Sequence, residues 1–157
     1  MSRIDERLIH GQVATAWISY VDSNTIYVID DATARNALLS RMIVSVAPKG
    51  VAVKVLSVKD AVQLIAQDPA SANEKVLLIA KTPGVFEDLL KAGIELKSIN
   101  LGGMGGAKNR TSFIENVSAS VEEVECMSRM LRMGVSIYYQ MTPYSKKMDV
   151  AKILKRT

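Results

Sequence analysis

The sequence predicts a single three-layer α/β/α domain, residues 1–157, built on a mainly parallel open sheet. Short apolar runs rich in β-branched residues alternate with segments of helical period, the rhythm of βαβ units. A chain of 157 residues suits one domain, and chains of that size bury roughly 70% of the surface their unfolded form exposes. No repeat, linker or low-complexity tract divides it.

Each element has a local reason. Arg3, Asp5 and Arg7 alternate, so an extended segment there would put all three on one face. Gly11–Val21 reads as an amphipathic helix, because Val13, Ala16, Trp17, Tyr20 and Val21 fall at i, i+3, i+4, i+7 and i+8. Thr25–Asp30 (TIYVID) is the next strand, after which Asp31 is placed to cap a helix over Ala32–Ala47. Val51–Leu56 (VAVKVL) is a strand, and Ser57 with Asp60 opens a helix over Val58–Gln67. Lys75–Ala80 (KVLLIA) follows as a strand. Thr82 and Pro83 then begin a helix that Gly93 stops. Lys97–Leu101 (KSINL) is a further strand. Ser120 with Glu123 forms a capping box for a helix over Val121–Met133, closed by Gly134. Val135–Gln140 (VSIYYQ) is the last strand, and an amphipathic piece runs from about Ser145 to Lys155.

Composition narrows the function. No apolar run approaches the roughly 18 residues of a membrane span, and the segment MSRIDERLIH is too charged for a signal peptide, so the expectation is a soluble, cytoplasmic protein. The single Cys126 permits no internal disulfide and reads as a buried apolar filler. The net charge of +4 favours acidic partners, but the basic residues lack the blocks and aromatic interleaving of a nucleic-acid surface. Only KILKRT, residues 152–157, clusters, as a solvated helix tail does.

Chemistry in an open parallel sheet belongs at the carboxyl ends of the strands. Four stretches converge on that rim: the residues around His10, Asp30 with Asp31, AKTPG (Ala80–Gly84) and NLGGMGGAKN (Asn100–Asn109). His10 is the only histidine, and an imidazole with its ordinary pKa of about 6.5 is both a nucleophile and an acid near neutrality. The helix beginning at Gly11 would turn free N–H groups and its positive dipole end toward the residue before it, a field that stabilises a phosphoryl group. Arg3 and Arg7 supply guanidiniums suited to bidentate phosphate contact, with Asp5 to orient them.

Other chemistries fit less well. With one histidine and one cysteine the chain offers no zinc or iron cluster. There is no G-x-S-x-G elbow. GGMGGAKNR departs from G-x-G-x-x-G at Lys108, and no P-loop is present, so the glycine-rich stretch reads as a loop shaping the rim. IDD, residues 29–31, could hold Mg²⁺ as in receiver domains with Lys81 as the basic partner, but Ser57 stands where a second acceptor carboxylate is needed. Asp31 then caps its helix, and Asp30 borders the pocket. Two non-catalytic readings stay open. One is a phosphate- or nucleotide-binding module using Arg3, Arg7, Lys108 and Arg110, and the other is an interaction module that binds a partner through the same rim.

RIDERLIHGQV, residues 3–13, closely resembles the signature of the IIB component of the mannose/fructose/sorbose family of the bacterial sugar phosphotransferase system. The resemblance continues through IYVIDD, APKGVAVKV, LLIAKTP, LLKAGIELKSINLGGM and QMTP, and so covers almost the whole chain. It implies a cytoplasmic carrier, peripheral to the membrane permease, that acts as a protein-phosphohistidine-sugar phosphotransferase without cofactor or metal. It also implies that His10 accepts a phosphoryl group on Nδ1 from the IIA component and passes it to a sugar held by the membrane partners IIC and IID. Arg7 matches the arginine that steadies the phosphate. Gly11, Gln12 and Arg3 are expected beside it, and Asp5, Asp30, Asp31, Asn100, Gly102 and Gly103 are expected to orient these groups or line the rim. Relatives carry a short apolar strand before R-I-D, for which this chain offers Met1 and Ser2.

Overall fold

The computed structural model describes residues 1–9, 11–67 and 74–155. Six strands are parallel: β1 (Ser2–Ile4), β2 (Thr25–Ile29), β3 (Ala52–Leu56), β4 (Val76–Ala80), β5 (Ser98–Leu101) and, beyond a separate hairpin of β6 (Thr111–Ile114) and β7 (Val117–Ala119), β8 (Ser136–Tyr139). The strand order is β3-β2-β4-β1-β5-β8, with β9 (Met148–Asp149) added antiparallel at the β8 edge.

β2 and β4 are apolar at nearly every position, as expected of parallel strands covered on both faces. Alternate residues feed two cores. Ile26, Val28, Leu77 and Ile79 pack with Leu8, Ile9 and Ile18, the last from helix α1 (Gly11–Tyr20). Tyr27, Ile29, Leu78 and Ala80 point the other way. They join Ala61 of α4 (Val58–Gln67), Phe86 and Leu89 of α5 (Pro83–Lys91), and Met127 and Met130 of α6 (Val121–Arg132). The sheet is thus sandwiched between helices, the α/β/α arrangement the sequence predicts. Among the described residues no helix is long and apolar enough to cross a membrane.

Several elements differ from the sequence reading. The helix expected over Ala32–Ala47 is two: α2 (Asp31–Ala34) and α3 (Ala37–Ser45). Asn36 breaks it by adopting extended backbone and accepting the N–H groups of Leu38 and Leu39, each at 3.1 Å, so that it caps α3. Asp30, not Asp31, caps α2. Its carboxylate accepts from the Thr33 amide at 2.9 Å, while Asp31 accepts from the Val58 amide at 2.8 Å and ties α2 to α4. The terminal helix shortens to α7 (Val150–Leu154), because Met148 and Asp149 pair with β8 instead. The β6–β7 hairpin has no counterpart in the sequence reading; its turn places Asn116 in the left-handed region at φ +60°. In α1 the buried residues are Ala14, Trp17 and Ile18, whereas Tyr20 is largely exposed and packs edge-on against Trp17 and Tyr144.

β1 lies between β4 and β5, at the centre of the sheet. From β1 the chain passes to β2 on one side, and from β5 to β8 on the other, so the connections diverge at the carboxyl ends of β1 and β5. Such a switch point opens a crevice between loops that leave in opposite directions.

Candidate functional site

Asp5–Ile9 and Gly102–Gly106 leave the two strands at the switch point. The first segment is not extended. Leu8 N–H donates to the Asp5 carbonyl at 3.0 Å, closing a turn, and buried Leu8 takes the left-handed conformation at φ +55°. A leucine there costs on the order of 1 kcal/mol, strain of a kind that clusters at functional sites. Gly11, at φ +83°, begins α1; a Cβ there would meet nothing, so backbone conformation alone calls for glycine. His10, between these two residues in the chain, lies outside the described residues.

The turn separates the two arginines expected to act together. Arg3 is 1% exposed, and both terminal nitrogens of its guanidinium donate to two acceptors each. Nη1 donates to Asn100 Oδ1 and, at 3.2 Å, to the Gln140 carbonyl; Nη2 donates to Asp5 Oδ2 at 2.6 Å and to the Met141 carbonyl at 3.2 Å. Its guanidinium lies over the Trp17 ring, 5.2 Å from the centroid, and the Trp17 indole N–H donates to the same Met141 carbonyl at 2.9 Å. Burial pushes the Arg3 pKa down, while the Asp5 carboxylate opposes that shift. Arg3 is therefore a structural bolt: a guanidinium so enclosed acts on the rim through Asp5.

Arg7 is the other case. Its side chain is 48% exposed. Asp5 Oδ1 accepts from the Arg7 amide at 3.2 Å and from Nε at 3.3 Å, and Nη2 rests 3.6 Å from Met141 Sδ. One carboxylate thus holds a buried arginine with one oxygen and aims an exposed arginine with the other. The glycines of the second loop leave room for this. A Cβ on Gly102 would overlap the Arg3 guanidinium and sit 2.8 Å from Asp5 Oδ2. At Gly103 it would meet Arg7 Nη2 at 3.5 Å, an ordinary contact.

Arg7 faces two hollows. One, of about 400 Å³, is walled by Glu6, Gly103–Gly106, the β6–β7 hairpin and Met141. The other, of about 280 Å³, lies between Arg7, Lys81, Thr33 and α3 residues such as Leu39 and Met42. Ile9 lines the second hollow and also a shallow groove along α1 that Gly11 and Gln12 share. Gly11 and Gln12 are exposed, and no acidic residue in the first turn of α1 offsets the dipole.

The remaining predicted residues occupy the same rim in supporting roles. Asp30 accepts from Lys81 Nζ at 3.0 Å; burial resists its ionisation, but hydrogen bonds from Thr33 and Lys81 outweigh that and hold its carboxyl below the ordinary range. Asn100 is buried beneath Arg3, and Asp31 is directed at α4. Tying Asp30 and Asp31 into separate caps removes the paired acids of a receiver-type Mg²⁺ site. The nucleotide-module reading also loses two of its phosphate contacts, since Arg3 is buried and Arg110 is engaged by Glu123 and Glu6. Met141 and Trp17 frame the arginines; in the sequence Trp17 belongs to an apolar helix stripe and Met141 to the QMTP segment, and neither pattern by itself points to a site.

The family description "PTS system sorbose subfamily IIB component" matches residues 1–157. The N-acetylgalactosamine-specific phosphotransferase enzyme IIB component 2 of Escherichia coli (strain K12) is 30% identical over 154 residues, covering 98% of this chain and 97% of its own. The mannose-specific EIIAB component of the same organism is 28% identical over 156 residues; these are 99% of this chain but only 48% of that longer relative. The crystal structure of manxB from Thermoanaerobacter tengcongensis superposes with a TM-score of 0.89 at 32% identity, covering 99% of this chain and 94% of that one.

Proposed function

The chain belongs to the sorbose-subfamily IIB components of the phosphotransferase system, which in general transfer phosphoryl groups in sugar transport, and on that premise we propose that His10 is its phosphoryl carrier. The observation that carries this reading is the paired use of Asp5, which holds Arg7 by Nε and leaves its guanidinium half-exposed, three residues before the only histidine and at the switch point of the sheet.

Phosphoryl transfer needs a nucleophile, in-line placement and stabilisation of charge on the equatorial oxygens. The His10 imidazole attacks the phosphorus of a phosphorylated histidine on a IIA component. A P–N bond forms on His10 as the donor's P–N bond breaks. Arg7 and the free N–H groups at Gly11 and Gln12 stabilise the oxygens. In the second half-reaction the His10 P–N bond breaks as a P–O bond to a sugar hydroxyl forms, and the imidazole nitrogen that gives up the phosphoryl group takes the hydroxyl proton. A donor on IIA agrees with the EIIAB designation of the mannose-specific relative. The acceptor sugar is held by membrane IIC and IID components, so the protein works as one domain at the cytoplasmic face of that permease.

Incubation with a phosphorylated IIA protein of a mannose-family system tests the reading. Wild-type protein should gain one phosphoryl group that is lost in mild acid and kept in base, as a phosphoramidate is and a phosphoserine is not. His10→Gln should keep its circular dichroism and take no label. A labelled His10→Gln protein, or a wild type that no IIA protein labels, overturns it.

A further inference from the structure

Glu6 raises a difficulty that the carrier reading leaves unresolved. It is the chain neighbour of Arg7, and both line the hollow of about 400 Å³ beside the glycine-rich loop. A free carboxylate there would repel a phosphoryl group and compete for the Arg7 guanidinium. In the structure it is not free. Arg110 Nη1 donates to Glu6 Oε2 at 2.9 Å and to the Gly105 carbonyl at 3.0 Å. The rest of the guanidinium grips Glu123 as a fork, Nε to Oε2 at 2.9 Å and Nη2 to Oε1 at 2.6 Å.

Glu123 is itself fixed. It accepts from the Ser120 amide at 2.9 Å in the capping box that starts α6, so Arg110 is braced on a helix terminus and only 12% exposed. The loop presses on Glu6 from the other side. Glu6 N–H donates to the Gly103 carbonyl at 3.0 Å, and a Cβ on Gly105 would come within 2.5 Å of Glu6 Oε1. Glycine at 105 lets the backbone close on the carboxylate while Arg110 neutralises it.

We propose that Arg110 is a positioning residue for phosphoryl transfer: by pairing Glu6 against the glycine-rich loop it keeps negative charge off the phosphoryl path and spares Arg7 a second carboxylate besides Asp5. This rests on the carrier function proposed for His10 and Arg7. It differs from a merely structural role in one respect, since the harm done by removing Arg110 comes from the charge of Glu6 and disappears with that charge.

The test follows phosphoryl uptake from a phosphorylated IIA protein in wild type, Arg110→Met, Glu6→Gln and the double variant, with circular dichroism melts alongside. Arg110→Met should slow uptake about tenfold, the effect of one uncompensated nearby carboxylate at the transition state. Glu6→Gln should match or exceed wild type, and the double variant should return to within about twofold of Glu6→Gln. A loop held only by the Glu6 tie would instead leave all three variants slow, which overturns the proposal, as does Arg110→Met at the wild-type rate. Should Arg110→Met fail to fold, Glu6→Gln decides alone: uptake slower than wild type sinks the role. A wild type that takes no label refutes the carrier reading itself, and this role with it, whereas a labelled wild type confines any failure to Arg110.

Discussion

Arg3 and Arg7 carry the same side chain four residues apart, and burial gives them opposite work. Arg3 is enclosed by Asp5, Asn100 and two carbonyls, so it fixes geometry; Arg7 has Asp5 as its acidic partner, touches Met141 Sδ through Nη2 and stays 48% exposed. The alternation R-x-D-x-R did not distinguish them, because the turn at Leu8 rotates Arg7 away from the face Arg3 occupies. The same enclosure makes Gly102 the least tolerant position of the glycine-rich loop. Gly102→Ala would drive a methyl group into the Arg3 guanidinium, which is pinned by its partners and cannot withdraw. Overpacking of this kind costs about 1–3 kcal/mol. Gly103→Ala meets only ordinary contacts at 3.5 Å or more and should cost less than about 1 kcal/mol. Urea midpoints measure both, and equal losses would show that Arg3 yields.

At the scale of elements, what was legible in the sequence is what local chemistry decides. The capping box Ser120–Glu123, Pro83 at a helix start and the mostly apolar strands β2 and β4 are local signals, and the corresponding elements stand within a few residues of their expected bounds. What was not legible depends on contacts distant in sequence. Asn36 reads as one more polar helix residue until its side chain is seen capping α3, and Met148 continues a helical period but pairs with Tyr139. The site divides the same way: Arg7 and Gly11 announce themselves, whereas Met141 reaches Arg3 from 138 residues away.

The α5–α6 contact also joins residues distant in sequence, and it carries a pH dependence. Glu87, nearly buried, accepts from Arg129 Nε at 2.5 Å and Nη2 at 3.1 Å, with Lys91 at 3.2 Å. The Arg129 hydrogen bonds outweigh the effect of burial and pull the Glu87 pKa down to about 2. A carboxyl depressed in the folded state contributes stability that is present above its unfolded pKa and is lost as pH falls through the folded value, here from about 4.5 to about 2. Because Arg129 and Lys91 are about half exposed, screening trims the contribution to on the order of 1–2 kcal/mol. Wild type should therefore lose that much more stability than Glu87→Gln between pH 6 and pH 2.5. Parallel losses would show the pair to be idle. Cys126, beside this pair, is pushed up to about 12 by burial, so its thiol stays protonated and serves as core filling.

For the whole molecule, the arrangement around Arg3 joins parts that the sheet alone would leave separate. Through one guanidinium it links β1 to Asn100 of β5, to the backbone after β8 and to Trp17 of α1, while Asp5 extends the link to Arg7. The exposed half of the site thus has no stability independent of the core. Trp17 is the only tryptophan and its indole is part of this arrangement, so its fluorescence reports the site directly. In urea the fluorescence transition should coincide with loss of far-UV circular dichroism, as in a two-state domain. Arg3→Met leaves Asp5 buried without its closer partner, which costs about 3–5 kcal/mol. Both transitions should move together to lower urea. If fluorescence changes first in either protein, the site opens as a local unit and the coupling of Arg7 to the core through Asp5 is weaker than the geometry implies.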